Sequence, residues 1–319
     1  ARDWARYGDF HAEDLRREVG RRQGWPAAGV LVGNGSNELL AVALEAVVGP
    51  GSEVLGADPS FGLYPAFVAR SGGSYRPLPA RDDLALPFAA LLAAVEAAPR
   101  RPLLLCTPNN PTGAALTVDQ VEALLSRLEA PLFLDNAYGE LSRHDYRPLL
   151  ARHPHLLLFR TFSKAWSLAG LRAGYLLAHP DLVAELLKVK LPYNMGHAAA
   201  TAATVALEAA AVAERRVRLL VGRRDEWAEV LARPGWEVLP SEANFLLVRC
   251  GRGPGAEAAV TAARDALVAR GVLVRDVSRG PGLAGCFRIS IGSAPALRAV
   301  ARAMDDVIAA RPSAAGEGR

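Results

Sequence analysis

Three short runs, residues 102–106 (PLLLC), 131–134 (PLFL) and 156–159 (LLLF), are almost wholly apolar, and each ends in polar residues. Strands of this kind have no face to give to water. They predict a mostly parallel sheet covered by helices on both sides. The intervening stretches have helical apolar spacing at 38–48, 64–71, 88–98, 118–128 and 182–190, after a charged helix at 12–23. Further strands are expected at 53–57, 75–78 and 175–178, with 30–32 as a brief apolar approach to a glycine turn. The fold class is therefore α/β. Such sheets bind ligands beyond the carboxyl ends of their strands. That edge would gather Asn110, Asp135, Lys164 and the turn at 33–37 (GNGSN). Ser36 or Asn37 is the expected N-cap of the helix behind the turn, and a helix start there offers free N–H groups to an anion.

The chain has 319 residues, 51% of them hydrophobic, enough to bury a large core and to divide. We expect a large domain over 26–225 and a smaller α+β domain over 226–319. The latter would hold strands at 236–239, 244–248, 272–274 and 287–291 and helices at 256–270 and 296–309. Residues 1–25 are expected to pack with the small domain. Residues 197–227 read as long helical structure, with Arg215, Arg216, Arg218, Arg223 and Arg224 as a solvated face, and the tail after Arg311 as disordered. Net charge is +4, without a basic run interleaved with aromatics, so nucleic acid is not indicated. Cys106, Cys250 and Cys286 lack metal-ligand spacing and fit a reduced, cytoplasmic protein; no metal is expected. No stretch reads as a signal peptide or a membrane span.

The stretch at 159–175 (FRTFSKAWSLAGLRAGY) places Lys164 among Thr161, Ser163 and Arg172. That setting suits a lysine forming a Schiff base beside a bound phosphate, but a solvated surface loop is the commoner fate of a single lysine, and the stretch alone does not outweigh it.

Taken in order, GNGSNE (33–38), DPSFGLY (58–64), TPNNPTG (107–113), LDNAY (134–138), the lysine stretch through Gly174, ANF (243–245) and VRDVSRGPGLAGCFRISIG (274–292) resemble the pyridoxal-phosphate aminotransferases of fold type I. Within them the pattern is most similar to the histidinol-phosphate aminotransferases, over nearly the whole chain. The resemblance implies that Lys164 bonds pyridoxal 5'-phosphate and then moves protons as base and acid. It implies that Asp135 pairs with the pyridine nitrogen, that Tyr138 and Asn110 bond the ring oxygen, and that Phe61 stacks on the ring. It implies a phosphate held by backbone N–H groups of Gly35, Ser36 and Asn37 and by Thr161, Ser163 and Arg172. Tyr7 would reach the phosphate of a neighbouring subunit, which implies a homodimer with shared sites. Arg288 would bind the acidic group of the substrate. Arg275 could add a second guanidinium or form an ion pair with Asp276.

Two departures stand out. Asn136 replaces a glutamate of the family pattern, a neutral change not expected to abolish catalysis. The family's N-terminal arm would lie before residue 1, so either preceding sequence is missing from this chain or the protein lacks that arm. Much of the pattern is shared with threonine-phosphate decarboxylases and with aromatic or broad-range aminotransferases. A non-catalytic regulatory domain usually carries a fused DNA-binding module, which is not visible here.

Overall fold

The computed structural model describes residues 5–309. In chain order the elements are α1 (Glu13–Gln23), β1 (Val30–Gly33), α2 (Ser36–Val47), β2 (Glu53–Asp58), α3 (Tyr64–Arg70), β3 (Ser74–Pro79), α4 (Phe88–Ala97), β4 (Leu103–Cys106), α5 (Val118–Leu125), β5 (Leu132–Asp135), β6 (Leu156–Thr161), β7 (Gly174–Leu177) and α6 (Pro180–Val189). They continue with α7 (His197–Glu208), α8 (Ala210–Leu231), β8 (Glu237–Val238), β9 (Phe245–Arg249), α9 (Ala256–Val268), β10 (Arg275–Asp276), β11 (Cys286–Ser290) and α10 (Ala294–Ala309).

Seven strands form one sheet in the order β1-β7-β6-β5-β4-β2-β3. Strands β2 to β6 pair in parallel, while β7 runs antiparallel to both β6 and β1. Alternation along each apolar run splits it between two cores. Leu132 and Leu134 face one cluster with Leu91, Val121, Leu124 and Leu207; Phe133 faces the other with Leu40, Leu44, Val68 and Leu186. Each fully buried leucine contributes about 1.5–3 kcal/mol, so a central strand of this composition is stable only between two helical layers. The second sheet, β10-β11-β9-β8, is antiparallel and packs on α9, α10 and the end of α8.

The segment 197–227 is helical as expected, in two helices that meet at a break at Ala209 (φ −90, ψ 26). Several other expectations need correction. The boundary expected at 225 falls inside α8, whose Ala210 and Ala213 join the large core and whose Trp227 and Leu231 join the small one. Helix α1 packs on α7 and β1, with Leu15 and Val19 in the large core, rather than on the small domain. Residues 272–274 are not a strand, because Val272 N–H bonds back to Leu267 O at 3.0 Å and closes the end of α9. Pairing starts only at Arg275, opposite Arg288. Within the arginine face, Arg223 and Arg224 are half-buried, and Arg224 donates to Ala243 O at 3.4 Å. The tail after Arg311 lies outside the described residues.

Among the described residues no helix is long and apolar enough to cross a membrane, and no His, Cys, Asp or Glu cluster could hold a metal ion.

Candidate active site

Strands β2, β4, β5 and β6 release their chains at one edge of the large sheet, and β1 points the same way. A cavity of about 300 Å3 opens there, lined by Ser36, Asn37, Phe61, Cys106, Asn110, Asp135, Tyr138, Thr161, Ser163, Lys164, Arg172 and Arg288 among others. Its floor is Asp135, the last residue of β5, in register with Cys106 and Phe159 on the flanking strands. Burial pushes its carboxyl above the ordinary range. Two donors oppose that shift. Tyr64 Oη–H bonds Oδ2 at 2.8 Å, and Ala137 N–H bonds Oδ1 at 3.2 Å.

Lys164 follows β6 by three residues and is half-buried, its Nζ 5.3 Å from the Tyr138 ring centroid. Burial lowers its pKa, and the positive charges of Arg288 and Arg172 lower it further, which favours the neutral, nucleophilic amine. Beside it, Ser163 N–H bonds Thr161 Oγ1 at 3.1 Å, and Arg172 Nη1 donates to Ser163 Oγ at 3.3 Å. Arg172 sits in the left-handed region (φ 54), a conformation L-residues rarely adopt.

The turn before α2 forms the opposite wall. Gly35 (φ 85) is the N-cap, and neither Ser36 nor Asn37 caps the helix as expected. The first-turn N–H groups are therefore left to a ligand. The turn is pinned from behind by Glu38, which accepts from Asn34 N–H at 2.5 Å and from Asn194 Nδ2 at 2.9 Å, while buried Lys190 donates to Asn194 Oδ1 at 2.7 Å. A Cβ at Gly35 would lie 2.6 Å from Arg172 Nη2. Helix start, hydroxyls and guanidinium thus close on one point, a donor set suited to a phosphate. With the lysine, the buried carboxylate and the aromatic Phe61, these residues fit pyridoxal phosphate.

A second chamber, about 970 Å3, adjoins the first and shares Phe61, Asn110 and Arg288 with it. Arg264, Arg275 and Arg279 also line it. Arg288 donates to Asn110 Oδ1 at 2.5 Å and lies over the Phe245 ring at 4.8 Å. That bond uses the amide oxygen of Asn110 as the acceptor. Asp276 is occupied by Arg264 Nη1 (3.1 Å) and by Ser278, so the ion pair considered for Arg275 does not form. A separate cavity of about 400 Å3 lies over Glu140, Arg160 and Trp166. Its charged groups mostly pair among themselves, as Arg147 does with Asp145 at 2.8 Å.

All the sequence-selected residues except three line the first cavity. Gly35 adjoins it as the N-cap of α2. Arg275 stands in the outer chamber. Tyr7 is 83% exposed and stacks on Tyr193 at 4.7 Å, away from the cavity of its own chain. Asn136 is fully buried and donates to Thr107 O at 2.5 Å, a bond an ionised glutamate could not make. Sequence reasoning gave no role to Tyr64. Its position three residues after Phe61, at a helix start beside the sheet edge, was the available signal.

The family model for class I and II aminotransferases matches residues 1–304. A histidinol-phosphate aminotransferase of Chlorobium phaeovibrioides is 35% identical over 91% of this chain and 79% of its own length. One from Roseiflexus castenholzii is 38% identical over 91% of this chain and 77% of its own. The crystal structure of histidinol-phosphate aminotransferase from Sinorhizobium meliloti, in complex with pyridoxal-5'-phosphate, has a TM-score of 0.86 and 30% identity, covering 96% of this chain and 84% of that one. With the matching cavity, these similarities lead to one conclusion: the chain belongs to the class I and II aminotransferase family.

Proposed function

We propose that the protein moves an amino group between histidinol phosphate and 2-oxoglutarate, with pyridoxal phosphate as cofactor. The observation that carries this reading is the arginine-lined chamber joined to the lysine cavity through Arg288. A phosphomonoester carries between about −1.5 and −2 charges near neutral pH, and guanidinium groups meet it with charge-assisted, potentially bidentate bonds. The names of the relatives support the same substrate.

The residues divide the work as follows. The 33–37 turn, Thr161, Ser163 and Arg172 hold the cofactor phosphate. Asp135 takes the protonated ring nitrogen, Asn110 and Tyr138 take the ring oxygen, and Phe61 covers the ring. When bound, pyridoxal phosphate supplies an aldehyde that bonds amines and a conjugated ring that draws electrons from the substrate Cα. Lys164 holds the cofactor between turnovers. Once freed, its Nζ would take the proton from the substrate Cα as a base and deliver it as an acid to the carbon that had carried the aldehyde, the shift that amino transfer requires. Burial and the neighbouring arginines lower its pKa, which favours the basic form that this step needs. Arg288, with Arg275, holds the substrate phosphate.

We further infer a homodimer, in which Tyr7 completes the phosphate site of the partner. The exposure of Tyr7 and of Arg172 supports this. A large domain running into α8 and a small domain beyond it are the division we propose. A reducing, cytoplasmic location fits three buried cysteines that form no disulfide with one another. The test is a single half-turnover of the holoenzyme with each of several amines. Histidinol phosphate should convert the cofactor to its amine form fastest. Conversion by phenylalanine but not by histidinol phosphate would overturn the substrate, and carbon dioxide released from threonine phosphate would point to a lyase.

A further inference from the structure

We infer that Tyr64 is a positioning residue for the reaction, fixing which way the Asp135 carboxylate faces and tying it to the aromatic wall at Phe61. The inference rests on the aminotransferase reading above. Among the described residues, the side-chain donor to Asp135 is the Tyr64 hydroxyl, on Oδ2, and Oδ1 accepts from the backbone N–H of Ala137. Tyr64 has no freedom to follow a rotated carboxylate. It is 1% exposed, packed in the core cluster with Leu104, Cys106 and Phe133. Its ring also meets Phe61 edge to face, with centroids 5.5 Å apart and planes at 76°. One side chain therefore touches both the residue assigned to the ring face and the residue assigned to the ring nitrogen.

The chemistry gives this contact a purpose. A buried carboxylate is pulled toward its neutral form, which could no longer keep a pyridine nitrogen protonated. A hydroxyl donor stabilises the ionised form and orients it. Were Tyr64 only a core filler, its hydroxyl would merely need some partner, and a phenylalanine there would leave the cofactor unaffected.

Tyr64→Phe keeps the ring contacts and deletes the bond. A hydrogen bond to a charged group is worth enough to change an equilibrium by about tenfold or more. We expect the variant to bind pyridoxal phosphate about tenfold more weakly. The pH midpoint of the visible absorbance of the holoenzyme should move upward by about one unit, since a less ionised Asp135 makes a less electron-poor ring. Introduced into Asp135→Asn, the same change should shift neither quantity further. Unchanged affinity and midpoint in Tyr64→Phe, or equal losses with and without Asp135, would overturn the role. Wild-type protein that takes up no pyridoxal phosphate would overturn the aminotransferase reading and this role with it.

Discussion

Replacing Gly174 with alanine should loosen the phosphate wall although Gly174 itself is assigned no bond to the cofactor. Gly174 opens β7, opposite Gly33 and Thr161. An ideal Cβ there would lie 2.5 Å from Ser36 N, 2.6 Å from Gly35 C and 2.8 Å from Gly35 Cα, all backbone atoms. Ordinary contact begins at 3.4 Å, so the 33–37 turn must retreat by about 0.9 Å. Overpacking of this kind costs about 1–3 kcal/mol. A hydrogen bond stretched by that much is no longer one. Losing a single charge-assisted bond, about 1.5–3 kcal/mol, weakens cofactor binding by about tenfold to a hundredfold. The assay is titration of apoprotein with pyridoxal phosphate, with thermal unfolding alongside. Gly170→Ala is the control on the same loop, since nothing lies within 4 Å of its Cβ and its φ is not positive. Equal cofactor affinities for the two variants would refute the argument that close backbone packing shapes the phosphate wall.

Arg288→Gln should lower kcat/KM for histidinol phosphate by about 30-fold or more, the scale of a lost buried charge contact. The unphosphorylated amino alcohol should lose far less, and equal losses on both would remove Arg288 from phosphate recognition. Asp135→Asn should raise the melting temperature of the apoprotein. A carboxyl raised by burial contributes stability below its ordinary range and loses it as pH rises through the raised value. The gain should therefore be largest near about pH 8 and shrink toward about pH 4, and a gain that grew with acid would show that the sign is wrong.

The large sheet was legible because its strands carry no polar face. Runs such as 132–134 leave only one arrangement that buries both sides. The lysine, the floor carboxylate and the arginine were legible as polar punctuation at strand ends. Tyr64 was not, because its hydroxyl finds Asp135 across 71 positions of sequence. The failed cap at Ser36 has a similar cause. A serine before an apolar helix reads as a cap, but the positive φ of Gly35 makes that glycine the cap. At 272–274, three apolar residues looked like a strand, yet Val272 serves to close a helix and Leu273 is 82% exposed. The antiparallel direction of β7 and the packing of α1 on the large core depend on chain path, which local pattern does not encode.

The chain has three lysines, which makes the central claim unusually direct to test. Lys188 is exposed and paired with Glu185, and Lys190 is buried against Asn194. Holoenzyme reduced with borohydride, digested and mapped by mass spectrometry should carry the pyridoxyl group on Lys164 alone. A label on Lys188 or Lys190, or none at all, would contradict the account.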